Sequence, residues 1–262
     1  MKRKNEIEDV MNLECGPKYL QKGESREDGV YRVAGHLADD PEHYKVIKEI
    51  LGDLRFLPAG RIQAAAGAAK RITAFNCFVS DTIPDSMTGI MNALKDAAET
   101  MRLGGGDGFD FSTLRPKGSH IKSLGSTSSG PISFMEVWDA MCGTIKSAGH
   151  RRGAMMGVMR VDHPDIEEFI ICKQQNGKLT NFNISVGITD EFMSALEADD
   201  DSFELVFDGI VYDVVSARSL WDKIMRNTWE HAEPGVLFID VINRKNNLWY
   251  NEEIAATNPC GR

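Results

Sequence analysis

The chain lacks a C-x-x-C pair: its five cysteines, Cys15, Cys77, Cys142, Cys172 and Cys260, stand far apart and are odd in number. That spacing argues against a zinc site or a secreted disulfide framework, and leaves buried thiols plus one or two reactive ones. The six histidines are scattered, each reading as a surface or core residue, so no metal site is expected. No stretch approaches the roughly 18 apolar residues that span a bilayer. The basic start Met1-Lys2-Arg3-Lys4 runs into Asn5-Glu6 rather than an apolar signal core, so a cytoplasmic protein with no membrane partner is expected. Positive charge is also scarce, with 30 Lys and Arg against 39 Asp and Glu. The resulting net charge of -9 argues against a surface that coats nucleic acid, while local basic clusters can still bind phosphates. What remains, 42% hydrophobic and 26% charged over 262 residues, is an ordinary globular composition with enough chain for one large or two modest domains.

Residues 1–40 are polar, and Gly23, Gly29 and Gly35 interrupt a helical period there, so loop with one short helix is expected. Pro41 to Leu54 reads as an amphipathic helix carrying Tyr44, Ile47, Ile50, Leu51 and Leu54 on one face. The Ala-rich run 63–69 suits either a helix or, with Lys70 and Arg71, a tight turn near an anion. The β-prone segment Phe75 to Val79 predicts a buried strand. Asp85 or Ser86 can cap a helix running to about Leu103.

Strand is expected again at 109–112, 155–161, 182–188 and 235–240, with helices at 132–146, 165–174, 190–196 and 216–231. Asp208-Gly209 at the middle of 203–214 signals a hairpin. Strands alternating with helices of these lengths predict a mostly parallel α/β fold.

Four features carry chemistry. Gly104-Gly105-Gly106-Asp107-Gly108 either brings backbone close to a ligand, cradling phosphate oxygens, or serves as a flexible helix end. Gly125 to Pro131 reads as a linker or, preferably, a functional loop within one domain. Arg151-Arg152 beside Gly149 and Gly153 suits phosphate or base contact, or a solvated turn. Thr257-Asn258-Pro259-Cys260-Gly261 places one thiol between a residue of fixed φ and one of free φ, a sharp turn presenting sulfur unless it frays.

Together with Phe75-Asn76-Cys77-Phe78-Val79, Gly104 to Pro116, Ser129 to Met135 and Arg151 to Met156, this last motif stands in the order and approximate spacing of one family. The chain resembles the catalytic subunit of ribonucleotide reductase, most closely the adenosylcobalamin-dependent class. The resemblance implies the N-terminal part of a ten-stranded α/β barrel made of two five-stranded halves. A mainly helical segment (1–55) would precede the barrel portion (56–262), which ends at the finger-loop cysteine. It implies that Cys260 becomes the thiyl radical, that Cys77 is one of the two reducing cysteines, and that Asn258 bonds the sugar hydroxyls. Asn76, Ala59, Gly105 and Gly106 would contact substrate.

The resemblance also implies a deoxynucleoside triphosphate effector bound by Asp85, Arg102, Arg115, Arg151 and Arg152, and a homodimer formed through the helix at 85–103. A thioredoxin-type reductant would restore the thiols. One departure stands out: where the family has a glutamate two residues after the cysteine, acting as base, this chain has Arg262, which stays protonated. With the second reducing cysteine and the other barrel half absent from the sequence, the expectation is a fragment or split half that needs a C-terminal partner. The rival is a catalytically inactive nucleotide-binding remnant.

Overall fold

A computed structural model of the chain describes residues 16–69, 71–121, 125–145, 153–174 and 177–261. These form two compact units. Of the described residues, the first contains those up to Asn76 together with 102–105; the second contains 77–101 and those from Gly106 onward.

In the first unit, α1 (Gly16–Tyr19), α2 (Arg26–Leu37), α3 (Pro41–Gly52) and α4 (Gly60–Ala65) follow one another. The glycines at 29 and 35 do not break α2, contrary to the sequence expectation. Ser25 and Asp28 close a capping box at its start. Gly29 lies so near Leu20 that a Cβ would sit 2.6 Å from that side chain, so the glycine there permits packing. In α3, Asp40 accepts from the backbone of Glu42 and His43 at 2.8 Å each, with Pro41 in the first turn. The ambiguous Ala-rich run becomes α4 followed by Gly67 at φ +67°. Val33, Leu51 and Ala66 form the small core. Arg32 ties the unit together, reaching Glu24 and the carbonyls of Gln63 and Ala66.

The second unit is built on a parallel sheet of β1 (Cys77–Val79), β2 (Gly106–Asp110), β5 (Met155–Arg160), β6 (Phe182–Ile188) and β9 (Gly235–Phe238), adjacent in that order. Crossovers run through α5 (Met87–Arg102), α6 (Pro131–Thr144), α7 (Ile166–Ile171), α8 (Asp190–Glu197) and α9 (Ala217–His231). Short ribbons β3 (His120–Ile121) with β4 (Ser126–Thr127), and β7 (Ser202–Phe207) with β8 (Ile210–Ser216), complete it, and α10 (Ile239–Lys245) follows β9.

Alternation along β6 explains the two faces of the sheet. Phe182, Ile184, Val186 and Ile188 enter the large core shared with Phe109, Phe111, Trp138, Met155 and Met159, and Asn183, Ser185 and Gly187 fall on the other face. That second face carries only a small apolar cluster: Met156, Val158, Leu237 and Ala256.

Several expectations are corrected. The strand read as buried at 75–79 is short and outermost, with Phe75 70% and Val79 51% exposed, because one side of it faces away from the sheet. Strand β2 starts at Gly106, not Phe109: hydrogen bonding to neighbours on both sides overrides the low strand propensity of glycine. Strand β9 stops at Phe238, and Ile239 and Asp240 open a helix, with Asp240 accepting from Asp190 N at 2.8 Å. The Gly/Ser segment is no linker, since Ser126 and Thr127 pair with His120 and Ile121 and Ser128 bonds Ser119 and Gly118. The expected hairpin is present, turning at Asp208 (φ 51°) and Gly209 (φ 72°). No helix is long and apolar enough to cross a membrane among the described residues.

Candidate active site

The segment from Ile254 to Gly261 crosses the sparsely covered face of the sheet, and two glycines of β2 make the crossing possible. A Cβ on Gly108 would lie 2.0 Å from Thr257 O, and one on Gly106 would lie 3.2 Å from the Pro259 ring and 3.4 Å from Cys77 Sγ. Alternate positions of one strand are therefore bare backbone because another backbone rests on them.

The segment ends in a closed turn. Gly261 N donates to Asn258 O at 3.0 Å, Cys260 N donates to Asn258 Oδ1 at 3.2 Å, and Thr257 Oγ1 donates to Gly261 O at 3.0 Å. Asn258 thus acts through its side chain as an Asx turn, which Pro259 stiffens. Pro259 is buried while Cys260 stands exposed at the tip of the turn. Two asparagines tie the segment down: Asn183 Nδ2 on β6 donates to Pro259 O at 2.8 Å, and Asn243 on α10 brackets Ile254, accepting from its N at 2.8 Å and donating to its O at 2.9 Å.

The outcome is a pair of sulfurs. Cys77 Sγ and Cys260 Sγ, 183 residues apart in sequence, lie 3.7 Å from each other, well beyond the ~2.05 Å of a disulfide and within reach of a weak thiol hydrogen bond. At the other described thiols, burial pushes Cys142 up to about 11 and Cys172 up to about 12, making both poor nucleophiles.

Behind the glycines, Asp107 points to the opposite, helix-covered face. It accepts from Ser80 Oγ at 2.8 Å and from Gly108 N at 3.0 Å, yet burial pushes its carboxyl up to about 6. Farther along the finger face, Arg160 grips Asp162 through two nitrogens at 3.1 and 2.6 Å beside Asp110, whose carboxyl burial also raises. Ser185, fully buried on that face, has a hydroxyl without a hydrogen-bond partner among the described residues. Ser185→Ala is expected to leave thermal stability within about 0.5 kcal/mol of the parent or to raise it, since an orphaned buried hydroxyl contributes nothing. A loss of more than ~1.5 kcal/mol in urea unfolding would show that the hydroxyl is satisfied.

The expected site residues separate into groups. Cys77, Gly106, Asn258 and Cys260 come together. Ala59, Asn76 and Gly105 belong to the first unit. Asp85 and Arg115 meet at the start of α5, where Arg115 Nε donates to Asp85 Oδ2 at 2.8 Å and Nη2 to Asp85 O at 3.2 Å. Arg102 is exposed at the end of α5. Arg151, Arg152 and Arg262, along with Lys70, lie outside the described residues. Among the described residues no cluster of His, Cys, Asp or Glu could hold a metal ion. Sequence reasoning missed Asn183, Asn243 and Asp107. The alternation of β6 was the available signal for Asn183, as an amide opposite an unbroken apolar stripe.

Residues 75–261 match the family described as "Ribonucleotide reductase, barrel domain", a span that begins just before Cys77 and includes Cys260. The chain belongs to the ribonucleotide reductase barrel family. It is 42% identical over 217 residues to the vitamin B12-dependent ribonucleoside-diphosphate reductase of Thermoplasma acidophilum, covering 82% of this chain and 28% of that reductase. The protein of the same description from Mycobacterium tuberculosis (strain H37Rv) is 40% identical over 215 residues, covering 81% of this chain and 30% of its own length. The chain thus spans under a third of the length of those relatives. In fold it superposes on the Actinobacillus ureae class Id ribonucleotide reductase alpha subunit with a TM-score of 0.80 at 21% identity, over 96% of this chain and 45% of that subunit.

Proposed function

We propose that this chain forms the thiol-bearing part of an enzyme that reduces ribonucleotides to deoxyribonucleotides. The observation that carries the reading is the 3.7 Å approach of Cys77 and Cys260 across a glycine-floored face, in a chain of the reductase barrel family. A ribose laid over the two sulfurs would present adjacent carbons to them. Cys260, as a thiyl radical, takes the 3' hydrogen; Cys77, with a second cysteine supplied from elsewhere, donates the reducing electrons and protons as the 2' hydroxyl leaves as water. Asn258 bonds the sugar hydroxyls, and Asn76, Ala59, Gly105 and Gly106 contribute the remaining substrate contacts. Water must be kept from the radical, and Pro259, buried beneath the tip, serves that end.

Adenosylcobalamin is the proposed cofactor, supported by the B12-dependent relatives. The exposed Cys260 thiol fits such a group, because a radical source can reach its sulfur from the open side. When bound, the cofactor supplies the radical that removes the thiol hydrogen. None of the described residues is assigned to hold the corrin; Cys260 is the group on which it acts.

The five-stranded sheet would be one half of a ten-stranded barrel, the other half coming from further reductase sequence, continuous or on a separate chain. Asp85, Arg102, Arg115, Arg151 and Arg152 would bind a deoxynucleoside triphosphate effector, and the 85–103 helix would face its mate in a homodimer. Met87 and Met91, both exposed on α5, support that last point. A thioredoxin-type dithiol would re-reduce the cysteines.

The test is turnover of a ribonucleoside diphosphate by this chain supplied with a C-terminal reductase half, adenosylcobalamin and a dithiol. Deoxynucleotide should form, and Cys260→Ser should reduce the rate at least ~10³-fold, as loss of a covalent or radical-bearing group does. Equal turnover by Cys260→Ser would refute the assignment. Deoxynucleotide binding without turnover in the completed enzyme would identify an inactive remnant instead.

A further inference from the structure

We propose that Asn183 is a positioning residue for the Cys260 sulfur, acting through the Pro259–Cys260 peptide; the proposal deepens the reductase reading and rests on it for its catalytic meaning. The backbone that precedes a side chain decides where that side chain points. The peptide unit ahead of Cys260 is planar, leaving rotation about Pro259 ψ as the main freedom, because the Pro259 ring fixes its own φ. Both polar ends of that plane are held: its carbonyl by Asn183 Nδ2 at 2.8 Å, and its N–H by Asn258 Oδ1 at 3.2 Å.

The second restraint is internal to the turn and would travel with it if the turn moved. The first ties the plane to the sheet. Among the described residues, the sheet's other side-chain contact of this kind with residues 257–261 is the weak 3.7 Å approach of the two thiols themselves, Cys77 and Cys260. Other neighbours cannot substitute. Gly106 and Gly108 offer no side chain, and Ser185, two residues along β6 on the same face, has no hydrogen-bond partner among the described residues. Asn243 fixes the segment as well, but at Ile254, six residues before the sulfur, where it sets the root rather than the tip. Removing the Asn183 donor should therefore leave the segment attached while loosening the distance between the two sulfurs.

That distance can be read without any ribonucleotide. In a glutathione buffer, the Cys77 and Cys260 thiols exchange with oxidised glutathione, forming one protein S–S bond, breaking the glutathione S–S bond and releasing two glutathione thiols. The equilibrium gives an effective concentration of one sulfur at the other, which rises with preorganisation. The full chain would be compared with Asn183→Asp, which keeps the shape and removes the donor, Asn183→Gln, which keeps a donor on a longer arm, and Ser185→Ala, which removes the neighbouring hydroxyl. Peptide mapping would identify the Cys77–Cys260 bond, and Cys77→Ser would give the background.

Asn183→Asp is expected to lower the effective concentration about tenfold, the loss of one well-placed hydrogen bond, with Asn183→Gln recovering part of it and Ser185→Ala within about twofold of the parent. Thermal unfolding measured alongside separates positioning from folding: a structural role alone would shift the melting temperature and leave the sulfur pair of the folded fraction unchanged. Should Asn183→Asp not fold, Asn183→Ser takes its place. A parent chain that forms no Cys77–Cys260 bond, or a donor-less variant with the parent's effective concentration, overturns the proposal. In the completed reductase the same variant should lower kcat with KM for the nucleotide unchanged. If the thiol equilibrium shifts as expected while no variant, parent included, reduces ribonucleotides, the positioning stands and the reductase reading falls.

Discussion

Gly108→Ala should be the most damaging single-carbon change in the second unit. The added Cβ would meet Thr257 O at 2.0 Å, Thr257 C at 2.9 Å and Asn258 Cα at 3.3 Å, all backbone atoms that cannot turn aside as a flexible side chain would. Either β2 shifts within a sheet hydrogen-bonded on both sides, or the finger lifts away; the second gives way first, because it is held by a few side-chain bonds. We expect a loss of about 1–3 kcal/mol in urea unfolding from the overpacking. Ribonucleotide reduction by the completed enzyme should fall by about 10²-fold or more, since displacement of about an ångström at a reacting group carries that cost. Gly143→Ala is the matched control: it lies in α6 with only Asn181 Nδ2 at 3.8 Å, so the alanine should be tolerated and should stabilise by roughly 0.5–1 kcal/mol. Unchanged turnover and unchanged stability in Gly108→Ala would mean that the finger does not rest on β2.

The second large effect concerns Asp107. Its carboxyl, almost wholly buried between Ser80 and the Gly108 amide, is pushed up to about 6 from the usual 3.8, because burial outweighs those two hydrogen bonds. The folded chain therefore holds this proton more tightly than the unfolded chain does. The corresponding stabilisation is complete below 3.8 and is lost as pH rises through about 6. At neutral pH the buried charge then costs up to about 3 kcal/mol, taking ~1.4 kcal/mol per pKa unit.

Asp107→Asn removes that cost while keeping an oxygen for Gly108 N and offering an N–H to Ser80 Oγ, which can accept. The variant should exceed the parent by about 2–3 kcal/mol near pH 7 and match it near pH 3.5. Urea unfolding of both proteins across that range is the check. A difference between them that does not vary with pH would show that Asp107 is not the titrating group.

How much of this was legible in the sequence depended on whether local chemistry and tertiary context agreed. The α/β order, the hairpin at Asp208-Gly209, and helices α3, α5, α6, α8 and α9 followed from caps and periodicity. Strand β6 followed from its β-prone alternation, and β5 from its place as a short apolar run in the strand-and-helix order. Strand β2 began three residues earlier than expected, because glycines carry no strand signal; their purpose, room for Thr257 and Pro259, involves residues about 150 positions downstream. Helix α2 was hidden for a similar reason, its Gly29 being chosen by contact with Leu20 and not by helix propensity. At the site, motifs singled out Cys77, Asn258 and Cys260. The alternation of β6 could have placed Asn183 on the face opposite the core, but neither its partner nor that of Asn243 was legible, because an asparagine's sequence neighbours do not name a distant carbonyl.

The 183-residue separation between Cys77 and Cys260 has a consequence for the order of events in folding. Neither glycine of β2 has anything to receive, and Asn183 has no carbonyl to hold, until β1, β2, β5 and β6 are already aligned. Contacts closing so long a loop form late, after local helices and neighbouring strands have met the entropy of the intervening chain. The two sulfurs are thus expected to meet among the last steps of assembly, which pulsed alkylation of Cys77 and Cys260 during refolding would check.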